Sequence, residues 1–314
     1  MLIKKPKFWD LKKPSFYSYL LWPLSKTFEI ISKFKIKKKK KYSNIKTICI
    51  GNIYIGGTGK TSLAIKIIKM LNNKNVKACF IKKFYSNQID EIKLLEKHGK
   101  VFTSENRIDS VENAISKNYQ VAIFDDGLQD HSIDYNVKLL CFNNINWIGN
   151  GLVIPAGPLR ENLNKIKNYK FIFLNGNLEN LENIKKDIYK INHKIDIIVG
   201  SYKPTNINQF NLKKKYLVFS GIGNHQTFVS MLKKNNFRLK KDIEFPDHYK
   251  YKKIDIENII HEANELDCSI ITTEKDFLRI NNQNLDKIEF IKSELYIQDE
   301  EKLFDAIFNR NETY

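Results

Sequence analysis

The sequence predicts an α/β fold: a mostly parallel sheet flanked by helices, with a second, smaller α/β domain. Two observations carry this. Short apolar runs such as "KTICIG" (46–51), "VKACFI" (76–81), "VAIFD" (121–125) and "VKLLCF" (137–142) alternate with helix-like segments around 61–71, 90–98 and 109–118. That rhythm is the signature of parallel strands joined by crossover helices. A turn-rich segment, "NNINWIGNGLVIPAGPLREN" (143–162), interrupts it. The rhythm then resumes through "KFIFL" (170–174), "DIIVG" (196–200), "YLVFSGIGNHQTFVSML" (216–232), "SIITTEKDFLRI" (269–280) and "IEFIKSELYI" (288–297). The boundaries expected on this basis are 1–41 for an amino-terminal helix and basic run, 42–148 for the first domain and 149–314 for the second.

The bulk properties set limits. The 314 residues suffice for two domains, and 42% apolar with 28% charged content reads as globular. A net charge of +18 favours an acidic partner such as an anionic membrane, a phosphorylated substrate or nucleic acid. No nucleic-acid motif accompanies that charge, so no nucleic acid is expected to bind. Lys, Asn and Ile abound everywhere, loops included, so part of the charge is compositional habit. The cysteines at 49, 79, 141 and 268 form no C-x-x-C pair and lie in or beside apolar runs, which reads as buried thiols in a reducing compartment. No apolar run is long enough to span a bilayer, and the amino terminus lacks the pattern of a signal peptide.

Residues 15–34, "SFYSYLLWPLSKTFEIISKF", place Phe16, Leu20, Leu24, Phe28 and Ile31 at helical spacing, and Pro23 is expected to kink or divide the helix. Seven lysines follow within the nine positions 33–41. An aromatic amphipathic helix beside a polybasic run suits an anionic membrane surface; a core-packed helix followed by a solvated charge run is the plainer alternative.

"GNIYIGGTGKTS" (51–62) lies between a strand and a helix. Its glycines let backbone N–H groups converge on phosphate oxygens, and the helix amino terminus adds its dipole. This makes the fold P-loop NTPase-like, although Tyr54 stands where the strict G-x-x-x-x-G-K-[ST] pattern has its first glycine. Gly56, Gly57, Thr58, Gly59, Lys60, Thr61 and Ser62 are the expected ATP-binding residues, with Lys60 on the β/γ-phosphates and the Thr61 hydroxyl on Mg²⁺. "VAIFDDGLQDH" (121–131) ends a strand in Asp125 and Asp126, hard oxygen ligands where a Mg²⁺ beside phosphates needs them. Spacing does not rank the two. In "GNGLVIPAGPLRE" (149–161), Arg160 offers a bidentate fork to phosphate and Glu161 a further metal ligand. Asp90 and Glu91 begin a helix, where capping is the default role. His248, in "FPDHY" (245–249), matters if the fold brings it to the phosphates, where His or Asp could accept a hydroxyl proton.

Taken in this order, the pieces resemble the tetraacyldisaccharide 4'-kinase family, the lipid A kinases of Gram-negative bacteria. The resemblance runs from "PSFYSYLLWPLS" through "GNIYIGGTGKT", "DE", "FDDGLQ", "GNGLVIPAGPLRE", "FSGIGN" and "FPDHY" to "TTEKDFLR". It implies transfer of the ATP γ-phosphate to the 4'-hydroxyl of a tetraacylated glucosamine disaccharide 1-phosphate. The reaction needs Mg²⁺ and takes place at the cytoplasmic face of the inner membrane, on a peripheral enzyme expected to be a monomer. It also implies roles. Asp90 would be the catalytic carboxylate and His248 its partner, Lys60 and Thr61 would hold phosphate and metal, and Asp125, Asp126 and Glu161 would form the metal and nucleotide network. Arg160 would steady the transferring phosphate. The chain departs from the family at a shortened loop, "KKFYSNQIDE" (82–91), with Ile89 where glycine is usual, and at Ser62, where proline is frequent. The rival is a membrane-associated regulatory ATPase of the MinD/ParA type, whose loop lysine would fall at position 55; Ile55 stands there instead.

Overall fold

The computed structural model describes residues 5–33, 39–85, 89–280 and 285–308. Along the chain the elements are α1 (Phe16–Lys33), β1 (Lys40–Lys41), β2 (Lys46–Gly51), α2 (Lys60–Asn73), β3 (Ala78–Lys83), α3 (Ile89–Glu96), β4 (Val101–Ser104), α4 (Arg107–Ser116), β5 (Val121–Asp125), β6 (Ile133–Asp134), β7 (Val137–Asn143), β8 (Phe171–Asn175), α5 (Leu181–Ile191) and β9 (Asp196–Pro204). They continue as β10 (Lys215–Ser220), α6 (His225–Lys234), β11 (Arg238–Glu244), α7 (Lys253–Glu265), β12 (Ser269–Thr273), α8 (Glu274–Phe277), β13 (Ile288–Ile291), β14 (Ser293–Ile297) and α9 (Glu300–Phe308).

Two compact units result. The larger comprises 6–175, 179–200 and 297–314, and the smaller 1–5, 176–178 and 201–296. The sequence pattern places residues 149–200 in the second domain. All of them except 176–178 belong with the larger unit, whose sheet β8 and the first part of β9 extend. The sheet order is β14-β9-β8-β7-β2-β5-β3-β4, and every strand from β9 to β4 is parallel to its neighbour. Strand β5 is apolar until its last residue, β2 is apolar over Ile48–Ile50, and both are buried almost throughout, as crossover topology demands. They pair so that Ile50 lies opposite Asp125, which brings the glycine loop and the aspartate pair to one sheet edge. The smaller unit has a four-stranded parallel sheet, β11-β10-β12-β13, with one apolar cluster around Leu217, Phe219 and Ile259 and another around Tyr216, Phe228 and Ile271.

Helix α1 is continuous through Pro23 rather than divided by it. Two of its serines, one on each side of Pro23, tie it to one surface. Ser18 is fully buried, and its hydroxyl meets the Asn150 amide at 3.0 Å. The Ser25 hydroxyl donates to the Val153 carbonyl (2.8 Å) and accepts from the Ala156 N–H (3.0 Å). The apolar residues face the other way: Phe16, Leu20, Leu24 and Ile31 are all more than half exposed, and Phe28 is 42% exposed. The core-packed alternative for this helix therefore fails among the described residues. The lysine run at 33–41 falls partly outside them, at 34–38. No described helix is long and apolar enough to cross a membrane. Cys49, Cys79 and Cys141 are buried free thiols and Cys268 is half-buried.

The segment 149–161 is clamped on this same side. The Asn150 amide also donates to the Ala156 carbonyl at 2.9 Å, and its oxygen accepts from Leu152 N–H at 3.1 Å. A Cβ on Gly157 would lie 2.1 Å from that oxygen, so only glycine fits. Replacing Asn150 with Ala strands several buried polar groups at once and is expected to destabilise the protein by about 1–3 kcal/mol. A fall in the urea midpoint with an unchanged slope would register that loss.

Candidate active site

Strand β2 delivers the chain into residues 52–59, and Gly59 enters α2 with φ +77°, a left-handed conformation that favours glycine. The loop is braced from within and from beneath. The Asn52 amide, fully buried, donates to the Thr58 hydroxyl at 3.0 Å, and the Asn175 amide at the end of β8 donates to the Thr58 carbonyl at 2.7 Å. Tyr54, in place of the usual glycine, is buried. It forms an antiparallel bridge with Leu159, and its hydroxyl donates to Asp10 at 3.0 Å. Backbone bonds flank the bridge, from Ile55 N–H to the Pro158 carbonyl and from Arg160 N–H to the Ile53 carbonyl. Arg160 is thereby delivered beside the loop although it lies about a hundred residues away.

Lys60 and Thr61 open α2 beside the aspartate pair. The Thr61 hydroxyl donates to Asp125 Oδ2 at 3.1 Å. Asp125 is buried and its Oδ1 has no hydrogen-bond partner. Asp126 turns in the opposite sense, with φ +60°, held by its N–H on the Ile50 carbonyl and by the Arg107 guanidinium on its own carbonyl. Its Oδ1 lies 3.5 Å from Lys60 Nζ and 3.7 Å from Arg160 Nη1. Burial pushes the Asp126 carboxyl up, but Lys60 and Arg160, with Lys82 and Arg107 behind them, outweigh it and hold the group below its ordinary range. Arg160 also donates to Gln129 Oε1 (2.9 Å), whose amide reaches the Asn52 carbonyl (2.7 Å).

The structure thus brings together Lys60, Thr61, Asp125, Asp126 and Arg160. Glu161 is half-buried next to Arg160, and none of the bonds described runs through it. Asp90 is the second residue of α3 in the larger unit; residues 86–88, just before it, lie outside the described set. His248 belongs to the smaller unit, at φ +58°. Its N–H donates to the Gly221 carbonyl and its Nδ1 is 3.4 Å from the Arg279 guanidinium. Arg279 is set in turn by Asp276, a buried carboxylate that accepts from Gly221 N–H and the Tyr251 hydroxyl. The motifs "FSGIGN", "FPDHY" and "TTEKDFLR" are one bonded network around Asp276.

Several residues here escaped the sequence reading. Asn52, Arg107, Gln129 and Asn175 carry no local signature. Lys82 is one lysine among dozens, yet it is 2% exposed and its ammonium bonds Asp125 Oδ2 at 2.7 Å and Glu91 Oε2 at 2.6 Å. Burial pulls its pKa down, but Asp125 and Glu91 outweigh that and raise it above the ordinary lysine value.

With this geometry in view, comparison with known proteins is specific. The sequence model of the tetraacyldisaccharide-1-P 4'-kinase family (LpxK) matches residues 17–312. The chain belongs to that family. A tetraacyldisaccharide 4'-kinase from Pelagibacter ubique is 56% identical over 312 residues, covering 99% of each chain. One from Wigglesworthia glossinidia brevipalpis is 32% identical over 85% of this chain and 78% of its own length. A crystal structure of LpxK from Aquifex aeolicus in complex with ATP shares the fold, with a TM-score of 0.64 at 23% identity, over 93% of this chain and 98% of the other. Membership of this family displaces the MinD/ParA alternative.

The electrostatics make a pH prediction. Asp126 has a lowered folded-state pKa, so its contribution to stability is complete above its ordinary value of 3.8 and is lost as pH falls through the lower folded value. The stability gap between the protein and its Asp126→Asn variant is expected to be widest near neutrality and to close below about pH 4. Paired denaturation curves across pH 3–7 check this; a gap that widens on acidification would contradict the assignment.

Proposed function

We propose that the protein is a lipid kinase that transfers the γ-phosphate of ATP to the 4'-hydroxyl of a tetraacylated glucosamine disaccharide 1-phosphate, a step in lipid A biosynthesis. The observation that carries this is the convergence of Lys60, Thr61 and Arg160 on the Asp125–Asp126 pair at the mouth of the glycine loop. Family membership supports the acceptor.

The residues suit Mg²⁺. Asp125 Oδ1 is a buried acceptor without a partner, and the Thr61 hydroxyl lies beside the same carboxylate. Among the described residues no three His, Cys, Asp or Glu side chains are grouped to hold a metal alone. That fits an ion held by one or two carboxylates, a hydroxyl, water and substrate phosphates, which is the usual Mg²⁺ arrangement. When bound, Mg²⁺ would neutralise charge developing on the transferring phosphate. Asp125, Asp126 and Thr61 would hold it, with Glu161 as a further candidate ligand. Gly56 to Ser62 would wrap the phosphates with backbone N–H groups, and Lys60 and Arg160 would bind their oxygens. Asp90 would accept the acceptor hydroxyl's proton, and His248 is assigned to assist it. Such a site works by positioning and charge neutralisation more than by covalent chemistry.

Helix α1 supports a peripheral location on an anionic membrane, at the cytoplasmic face of the inner membrane where the acyl chains of such a substrate lie. Its buried side is made of serines and its exposed side of aromatic and aliphatic residues, the reverse of a helix that packs into a core. The protein is proposed to act there as a monomer.

With labelled ATP, Mg²⁺ and disaccharide monophosphate in detergent, the protein is expected to label the lipid. Lys60→Ala should reduce transfer roughly a hundredfold or more; near-normal turnover would remove Lys60 from the phosphate site. His248→Ala is expected to slow turnover without altering the melting curve. Separately, replacing Phe16, Leu20 and Leu24 together with Ser should leave folding intact and weaken flotation with anionic vesicles. Undiminished flotation would place the membrane surface elsewhere.

A further inference from the structure

The structure assigns Lys82 a part in the reaction: we infer that it is a positioning residue whose buried ammonium locks the Asp125 carboxylate and the amino-terminal turn of α3 into one rigid unit. This rests on the kinase reading for its consequences, but the bridge itself is a matter of geometry.

Strand β3 pairs with β5 up to Ile81 opposite Phe124, so the next residues, Lys82 and Asp125, stand side by side at the carboxyl ends of adjacent strands. The ammonium is inside the protein, where an unpaired charge is not tolerated. It has two carboxylate partners at 2.6 and 2.7 Å, from Glu91 and Asp125. These come from different elements, the third residue of α3 and the last residue of β5.

The bridge acts on both ends. At Asp125, Oδ2 is engaged by Lys82 and by the Thr61 hydroxyl, which fixes the plane of the carboxylate and leaves Oδ1 as the buried oxygen without a partner. An oxygen held in one place offers a better-defined ligand than a rotating one. At α3, Glu91 is anchored one residue after Asp90, so the orientation of the helix start that carries Asp90 is set by the same ammonium. A misplacement of reacting groups by about 1 Å costs up to a hundredfold in rate. Lys82 touches no reacting atom in this scheme; it acts through Asp125 and Glu91.

The test uses the full-length protein with Lys82→Met, Lys82→Arg, Glu91→Gln and the Lys82→Met/Glu91→Gln double variant. Turnover, KM for ATP and hydrogen exchange of the α3 amides (89–96) are measured for each. Lys82→Met is expected to lower kcat roughly ten- to a hundredfold with KM for ATP within about twofold, because geometry is lost while the phosphate grip is kept. Amide exchange in α3 should quicken in the same variant. Lys82→Arg, which can still span two carboxylates, should recover part of kcat. The double variant should fall no further than the worse single one, since both break one bridge. Glu91→Gln keeps a neutral hydrogen-bonding partner and serves if Lys82→Met fails to fold; it is expected to show the same split on a smaller scale. An unchanged kcat in Lys82→Met overturns the inference, as does a loss confined to KM or strictly additive losses in the double variant. If the unaltered protein transfers no phosphate at all, the kinase reading fails. The bridge then stands or falls on α3 exchange in Lys82→Met, where unchanged protection refutes it.

Discussion

Much of the larger unit hangs on a short antiparallel contact between residues 53–55 and 158–160. Two backbone hydrogen bonds and the Tyr54–Leu159 bridge join a phosphate-loop segment to a proline-rich turn far away in sequence. Burial of Tyr54, Val153 and Leu159 in one apolar cluster keeps water from competing for those bonds. Arg160 reaches Asp126 because this contact exists, and Gln129 then ties Arg160 back to the start of the loop. Tyr54 is thus a strut: its ring fills the cluster while its hydroxyl reaches Asp10 of the amino-terminal segment.

The same turn has a second face. Asn150, Val153 and Ala156 receive Ser18 and Ser25 of α1, and the Pro155 carbonyl accepts from the Trp9 indole at 3.0 Å. One thirteen-residue segment, 149–161, therefore holds the exposed apolar helix on one side and the phosphate loop on the other. Directional polar bonds rather than apolar burial attach α1, which frees its aromatic stripe to face outward.

Local chemistry made the fold class, the glycine loop, the aspartate pair and the amphipathic helix legible in the sequence. Apolar runs of strand length read directly, and Gly-Lys-Thr between strand and helix has few other meanings. Strands Val101–Ser104 and Arg238–Glu244 went unread because the first is short and the second is largely polar and exposed. Turn residues cluster after position 148 and suggest a domain boundary there, but turns mark the ends of elements, and whether a sheet continues beyond them depends on long-range pairing. The same limit hid Lys82 and Asn175, whose importance comes entirely from what tertiary pairing sets beside them. The stripe on α1 was plain at helical spacing, whereas its outward direction depended on two serines that periodicity does not weigh.

The charges of the site are matched before any ligand arrives. Lys82 is taken by Asp125 and Glu91, while Lys60 and Arg160 are spent on Asp126. A lone cation approaching Asp126 would meet a carboxylate already countered, and a lone polyphosphate would meet cations already engaged. If both bound, Lys60 and Arg160 would serve the phosphate oxygens and the Asp126 carboxylate would be left to help hold the metal. By thermodynamic linkage each would then raise the other's affinity by the same factor. The Asp126 cluster would in this sense act as a gate against half-assembled substrate, admitting a metal–nucleotide pair more readily than either component alone.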